Sequence, residues 1–276
     1  MGRNRWVAVG ALALGVGLAV NSLLGPFVAD VIDYPLSETL INQTIGLDAY
    51  SLLVVAPLAA VAGLLALRDH AAAPVVVVGL AGYAAYMLLQ YIVGPAWGEI
   101  PGVLGLQLAL LVIAGWVGLG GWSALRGQAL PEREDRRAAF VLLGFAAFVI
   151  LRYVPTLAGS ATGEPIPEES RADPTMYWLI VVLDLAAVVP ATIASAIGLL
   201  RGASWARAAA LAVAAWFAVT TPSVAVMAVT MLVRDDEFAS GGVTVLLVAA
   251  AAVYVAFAAW LFRPLFRPPR SGLRPG

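Results

Sequence analysis

Long apolar segments alternate with short polar connections along the whole chain. Each segment is rich in Leu, Val, Ala and Gly, and each approaches or exceeds the ~20 residues that a helix needs to cross a bilayer. The segments lie at residues 6–28, 50–67, 75–94, 101–123, 138–158, 176–200, 205–233 and 242–263. The pattern therefore predicts an all-α membrane protein, built as a bundle of eight transmembrane helices.

The composition agrees with a surface that faces lipid. Hydrophobic residues make up 62% of the chain and charged residues only 12%, whereas a soluble domain carries about 25% charged residues. Arg3 and Arg5 precede the first segment as in a signal peptide, but the apolar run is longer than the usual ~7–15 residues. We expect a retained first helix and a single transmembrane domain over residues 1–263.

Arginine is concentrated on every second connection and on the tail. These regions carry Arg3, Arg5, Arg68, Arg126, Arg133, Arg136, Arg137, Arg201, Arg207, Arg263, Arg267, Arg270 and Arg274. The opposite connections carry most of the acidic residues and only Arg171 and Arg234. Because arginine-rich short loops mark the cytoplasmic side, we predict a plasma-membrane protein with both termini cytoplasmic. Residues 264–276 are predicted to be a disordered tail, either a simple positive anchor or a patch that binds anionic lipid.

The longest cytoplasmic connection, residues 124–137, divides the chain into two halves of four segments, 1–123 and 138–263. The second and sixth segments also share short sequence features. These are Leu47-Asp48, Pro57, Gly63-Leu64-Leu65 and Arg68 in one, and Leu183-Asp184, Pro190, Gly198-Leu199-Leu200 and Arg201 in the other. The similarity suggests a parallel four-plus-four pseudo-repeat, and chance resemblance between alanine-rich helices is the alternative. Parallel repeats in transporters place binding sites at the repeat interface.

Two ionisable residues fall deep inside predicted helices. Arg152 and Asp184 lie roughly 9 and 12 Å from the outer ends of the fifth and sixth helices, so we expect a salt bridge. Ionisable groups inside a membrane are costly and often functional. The pair either locks two helices together or lines a cavity and changes partners when a ligand arrives.

Further polar residues fall in the same outer half. Tyr83, Tyr86 and Gln90 share one helix face by their spacing, and Asn21 and Gln107 lie near the outer ends of the first and fourth helices. The hypothesis is one outward-facing, ligand-binding pocket formed by Asn21, Tyr83, Tyr86, Gln90, Gln107, Arg152 and Asp184. Other aromatic residues are interpreted as interfacial anchors, namely Tyr91, Trp97, Tyr177 and Trp178.

The outer connections carry weaker signals. Residues 34–46 predict a short interfacial helix, which includes the glycosylation pattern Asn42-Gln43-Thr44. Asp48 is interpreted as the start of the second helix, where a carboxylate suits the helix dipole. Residues 159–175 are predicted to be extended and solvated, and Pro222 predicts a kink in the seventh helix.

Several chemistries are excluded by residues that the chain lacks. Without cysteine there is no thiolate site, one histidine cannot supply a multi-histidine metal site, and absence of lysine rules out a Schiff base. We therefore predict no catalytic residue, metal site, cofactor or nucleic-acid partner. The expected partners are membrane lipids and an unidentified small ligand or ion.

A resemblance to a protein family rests on residues 46–94 and 183–190. It is carried by Gly46-Leu47-Asp48, Pro57-Leu58, Gly82-Tyr83-Ala84-Ala85-Tyr86, Tyr91, Gly94, Leu183-Asp184-Leu185 and Pro190. In these residues the chain resembles a family of uncharacterised prokaryotic multi-pass membrane proteins, although Trp97-Gly98-Glu99 stands where that family has an Asn. The resemblance implies no established activity. It does imply that Asp48, Tyr83, Tyr86 and Asp184 belong to one shared feature.

Three functions follow from these observations. The favoured one is a membrane protein that transports a small solute or ion, or senses a ligand, through the outward-facing pocket. The alternative is a structural or assembly protein whose buried polar residues only fix helix packing. The third is an intramembrane enzyme that acts on a lipid-linked substrate.

Overall fold

The computed structural model describes residues 3–128, 130 and 135–266, and the part of the chain described is all-helical. Within these described residues, eight helices are long and apolar enough to cross a membrane, so the predicted eight-helix bundle is confirmed. They are α1 (Arg3–Leu24), α2 (Glu38–Leu67), α3 (Ala73–Val93), α4 (Leu104–Arg126), α5 (Asp135–Thr162), α6 (Pro174–Leu200), α7 (Ala206–Val233) and α8 (Gly241–Phe262).

The start of α2 differs from the prediction. Ser37 caps this helix by accepting a hydrogen bond from the backbone N–H of Leu40 at 3.4 Å, which satisfies an otherwise unpaired amide. The helix therefore begins at Glu38, and no separate interfacial helix exists at residues 34–46. Gly46 allows the polar first part of α2 to approach α7, since a Cβ there would lie 2.9 Å from the Met227 Cα. Asp48 lies about three turns inside α2 rather than at its start.

Helices α2 and α6 are each interrupted by one π-helical turn, at Ser51–Val55 and Asp184–Val188. Each turn is followed by a proline near the start of the next α-helical stretch, Pro57 or Pro190. Such wider turns are often found at functional sites. The matching interruptions agree with the pseudo-repeat hypothesis, which stays a prediction.

Each set of four helices packs around its own core. Leu14, Leu80 and Leu110 are buried in the core of the first set, and Phe145 and Phe257 in the core of the second. The two sets meet where α2 and α3 pack against α7. Gly79 makes this approach close, because a Cβ at that position would lie 2.8 Å from the carbonyl carbon of Ala215.

The two ends of the bundle differ in charge. We call the end with Leu24 of α1 and Glu38 of α2 the acidic side, and the opposite end the arginine side. On the arginine side, Arg207 of α7 forms an ion pair of 2.7 Å with Asp135 at the start of α5.

Two predicted loop regions also differ from expectation. The connection predicted to be extended at 159–175 is partly helical, because α5 continues to Thr162 and Glu168–Ser170 forms a 3-10 turn. At the other end of the chain, Arg263–Phe266 forms a 3-10 turn that buries Leu265. The rest of the predicted tail, 267–276, and part of the predicted linker, 129 and 131–134, lie outside the described residues.

Candidate binding cavity and a second polar cluster

Asp184 stands at the first position of the π turn in α6, and tyrosines occupy both of its carboxylate oxygens. The hydroxyl of Tyr86 donates to Oδ1 at 2.9 Å, and that of Tyr153 donates to Oδ2 at 2.6 Å. The guanidinium of Arg152 lies instead over the Tyr153 ring, 5.4 Å from its centroid. Among the described residues, Arg152 makes no ion pair within 4 Å. The predicted salt bridge between Arg152 and Asp184 is therefore wrong.

A cavity of about 270 Å³ opens next to this network on the acidic side. It lies between α2, α3, α5, α6, α7 and α8, so both sets of four helices contribute to its wall. Its polar lining consists of Gln43, Tyr83, Tyr86, Gln90, Arg152, Glu169, Thr220, Ser223, Ser240 and Thr244. A smaller cavity of about 120 Å³ adjoins it and shares Gln43, Arg152, Glu169 and Ile180.

The cavity contains an arginine that has no carboxylate at ion-pair distance among the described residues, although Asp184 and Glu169 lie near enough to interact with its charge. Arg152 is exposed, and it contributes to the lining of both cavities. Glu169, on the 3-10 turn, also lines both and is exposed, but it too forms no ion pair in the described part of the chain. Thr220 adds a buried hydroxyl that has no hydrogen-bond partner among the described residues. These groups can bind a small polar ligand.

The backbone around Pro222 shapes the α7 wall of the cavity. Pro222 lies inside α7, which runs from Ala206 to Val233 without a break. The hydroxyls of Thr221 and Ser223 donate to the carbonyl oxygens of Phe217 and Thr220. Hydroxyls on both sides of the proline therefore bond backbone oxygens of the turn that precedes it, as is common where a proline interrupts helix bonding.

Asn21 and Gln107 do not line the cavity. They belong to a second, fully buried cluster between α1 and α4, in which the Gln107 amide donates to Asn21 Oδ1 at 3.2 Å and to the Tyr34 hydroxyl at 3.0 Å. Burial, reinforced by the nearby Asp48 carboxylate, raises the pKa of the Tyr34 phenol, so this group stays neutral. Four of the seven predicted residues therefore line the cavity, Asp184 bonds to one of these four, Tyr86, and the other two lie in the second cluster.

Asp48 and Tyr91 extend the second cluster toward α2 and α3. The Tyr91 hydroxyl donates to Asp48 Oδ1 at 3.0 Å, and its ring stacks on that of Tyr34 at 5.2 Å. Trp97 packs against Tyr34 in turn, with ring centroids 5.8 Å apart. Tyr91 is thus fully buried and hydrogen-bonded, and the prediction that it is an interfacial anchor is wrong.

Sequence reasoning missed several of these contacts. Ser51, at the first position of the π turn in α2, shares a 2.7 Å hydrogen bond with Tyr83, and nothing in its sequence context indicated this role. The position of Asp48, by contrast, had a signal: reading Ser37 as a helix cap places Asp48 inside the helix. Asn42 is buried and donates to Asp236 at 2.8 Å, an environment that does not suit a glycosylation site.

Taken together, the fold and the site define a multi-pass membrane protein that holds polar and charged side chains inside an apolar helical bundle. Comparisons with protein-family models, with curated proteins and with solved structures find no match to this chain. The family resemblance in residues 46–94 and 183–190 gains no support from them, and the function has to be argued from the site.

Proposed function

We propose that the protein resides in the plasma membrane with the acidic side outward, and that the cavity binds a small anionic solute for transport or for sensing. The observation that carries the proposal is Arg152, an arginine within a candidate membrane span that faces the cavity and has no carboxylate at ion-pair distance in the described part of the chain. The arginine-rich connections support the orientation, because such loops remain in the cytoplasm.

A purely structural role would leave Arg152 poorly explained. A charge inside a membrane protein is costly unless it is paired or reaches water. Asp184 is the nearest candidate partner inside a helix, but two tyrosine hydroxyls already satisfy its oxygens. The guanidinium therefore keeps its donors for another group, and guanidinium binds carboxylates and phosphates through paired hydrogen bonds.

The rest of the lining indicates what kind of anion fits. Thr220, Ser223 and Gln90 offer hydrogen-bonding groups, whereas Met227, Met231 and Leu247 offer apolar contacts. The volume of about 270 Å³ lies near the lower end of the ~300–1,000 Å³ range of small-molecule sites. We infer a compact solute that combines one anionic group with a short apolar part.

Thermal unfolding of the purified protein in detergent tests the proposal. The panel consists of small carboxylates, organic phosphates and sulfonates, with alkylamines of similar size as the cationic comparison, all as choline or chloride salts. A ligand at 100 times its dissociation constant stabilises by about 2.7 kcal/mol, so we expect at least one anion to raise the midpoint by several degrees.

The matched variants are Arg152→Gln and Arg171→Gln. Arg171 lies on the same side of the bundle and is exposed, with its Nε donating only to the Ile166 carbonyl among the described contacts. We expect Arg171→Gln to keep the anion-induced shift and Arg152→Gln to lose it. If no anion stabilises the wild type and Arg152→Gln simply unfolds at lower temperature, the structural alternative is correct. For an anion that binds, uptake into liposomes distinguishes transport from sensing.

A further inference from the structure

Asp48 is a fully buried carboxylate, and only one of its two oxygens accepts a hydrogen bond from the described residues. Its side chain is 0% exposed. Tyr91 donates to Oδ1, but Oδ2 has no partner in the described part of the chain. No arginine there forms an ion pair with it. An isolated buried carboxylate is too costly to persist as a bare charge, so either a proton or a cation must neutralise it at Oδ2.

The backbone next to Oδ2 is also electronegative. A Cβ at Gly25 would lie 2.2 Å from Asp48 Oδ2 and 3.5 Å from the carbonyl oxygen of Asn21, so the carboxylate sits against the C-terminal end of α1. That end of a helix carries a partial negative charge. A carboxylate at this position is unfavourable by itself and becomes favourable when a bound cation neutralises it.

Pro26 leaves one carbonyl at this helix end without its usual donor. The Ser22 carbonyl would accept from the amide of residue 26, but proline has no N–H, and no other described backbone amide donates to it. The Ser22 hydroxyl interacts with the Asp48 carboxylate, although neither this hydroxyl nor Gln107 Oε1 makes a hydrogen bond of standard geometry to the described residues.

From these oxygens we infer that Asp48, Ser22 and the C-terminal end of α1 bind Na⁺. A proton on Oδ2 would satisfy that atom alone. A cation, by contrast, can be coordinated by carboxylate, hydroxyl and carbonyl oxygens together. C-terminal helix ends and unwound carbonyls coordinate Na⁺ in membrane transporters. One carboxylate suits a single positive charge, and the described residues contain no group of three His, Cys, Asp or Glu that would suit a transition metal.

The proposed Na⁺ site is distinct from the cavity but shares a helix with it. Leu47 and Gln43, next to Asp48 and about one turn before it on α2, line the cavity wall. A cation held at Asp48 would therefore fix the position of that wall relative to α1. The Na⁺ inference goes beyond the proposed anion binding and stands if that proposal fails.

Thermal unfolding in detergent at constant ionic strength and pH 7.5 tests the site, with NaCl replaced stepwise by KCl or by choline chloride. We expect Na⁺ to raise the wild-type midpoint by several degrees in a saturable manner, beyond either replacement. Asp184→Asn is the matched control, because it removes the other carboxylate inside a helix, whose two oxygens are already satisfied. It should keep the Na⁺-dependent shift, and Asp48→Asn should lose it.

Ser22→Ala provides a milder variant should Asp48→Asn fail to fold. Loss of one coordinating oxygen is expected to raise the half-saturating Na⁺ concentration at least ~tenfold. Equal midpoints in Na⁺, K⁺ and choline would overturn the inference, as would a shift that persists in Asp48→Asn. A wild type that responds to pH but not to Na⁺ would also overturn it, by showing that Asp48 is simply protonated. The titration contains no anion other than chloride, so its outcome is independent of the anion screen.

Discussion

Tyrosine hydroxyls donate hydrogen bonds to both carboxylates that are buried in the helices, to both oxygens of Asp184 and to one oxygen of Asp48. Tyr86 and Tyr153 bond to Asp184, and Tyr91 bonds to Asp48. A phenol can donate to a buried carboxylate without adding a second buried charge, whose desolvation often cancels the gain from pairing. The consequence for function is that Arg152, freed from Asp184, faces the cavity.

Replacing Tyr153 by Phe tests how much this bonding contributes to stability. The change removes the donor to Asp184 Oδ2 and leaves a buried acceptor unpaired, which costs about 1.5–3 kcal/mol. We expect a midpoint about 5 °C lower in detergent. Tyr254→Phe is the control, since Tyr254 is equally buried but its hydroxyl has no hydrogen bond to the described residues. Equal effects of the two substitutions would contradict the assigned role of Tyr153.

At the residue scale, the sequence predicts where a side chain lies along its helix better than it predicts which side chain it contacts. The depth of a residue inside a helix follows from counting residues, and this count places Arg152 and Asp184 within the membrane. Helical spacing places Tyr83 and Tyr86 on one face. Opposite charges at similar depth suggested a salt bridge. The rotation of each helix about its axis decides which side chains meet, and that rotation depends on packing between helices rather than on the sequence of one helix.

At the scale of elements, the length of each apolar segment identifies the eight helices. It locates a helix end only where that end coincides with the boundary of the apolar segment. The first part of α2, from Glu38 to Gly46, is too polar to be recognised as part of a span. It is helical because Ser37 caps it and because it packs against α7. The π turns of α2 and α6 were not predictable either, since they depend on one extra residue per turn and leave no change in hydrophobicity.

The contact between α3 and α7 depends on Gly79. We expect Gly79→Ala to overpack this contact, because the added Cβ would meet the Ala215 backbone at 2.8 Å, at a cost of about 1–3 kcal/mol. Gly115→Ala is the matched control within another membrane helix, where an added Cβ meets nothing within 4 Å. The control should leave the midpoint unchanged or raise it slightly, because alanine favours helix. Gly79→Ala unfolding at the wild-type temperature would show that the two sets of helices do not depend on this contact.

At the scale of the whole molecule, two four-helix sets enclose polar groups in different ways. In the first set the hydrogen bond between Asn21 and Gln107 joins α1 to α4 and closes a buried cluster. In the second set Arg152 of α5 and Thr244 of α8 lie on the wall of an open cavity. The two proposed binding sites differ in the same way: the closed cluster binds a cation, and the open cavity binds an anion.

The chemical modification of a single cysteine in intact cells tests the outward-facing, anion-attracting cavity most directly. The chain has no cysteine of its own, so Thr220→Cys introduces one thiol on the cavity wall, and Thr192→Cys introduces one at a buried hydroxyl that bonds its own helix and does not line the cavity. The reagents are an anionic methanethiosulfonate (ethylsulfonate) and a cationic one (ethyltrimethylammonium).

We expect Thr220→Cys, but not Thr192→Cys, to react with reagent added outside. Arg152→Gln should lower the ratio of the anionic to the cationic rate about tenfold, as focused charge changes encounter rates, and Arg171→Gln should leave that ratio unchanged. Reaction of Thr220→Cys only after the membrane is permeabilised, or a rate ratio indifferent to Arg152, would contradict the account.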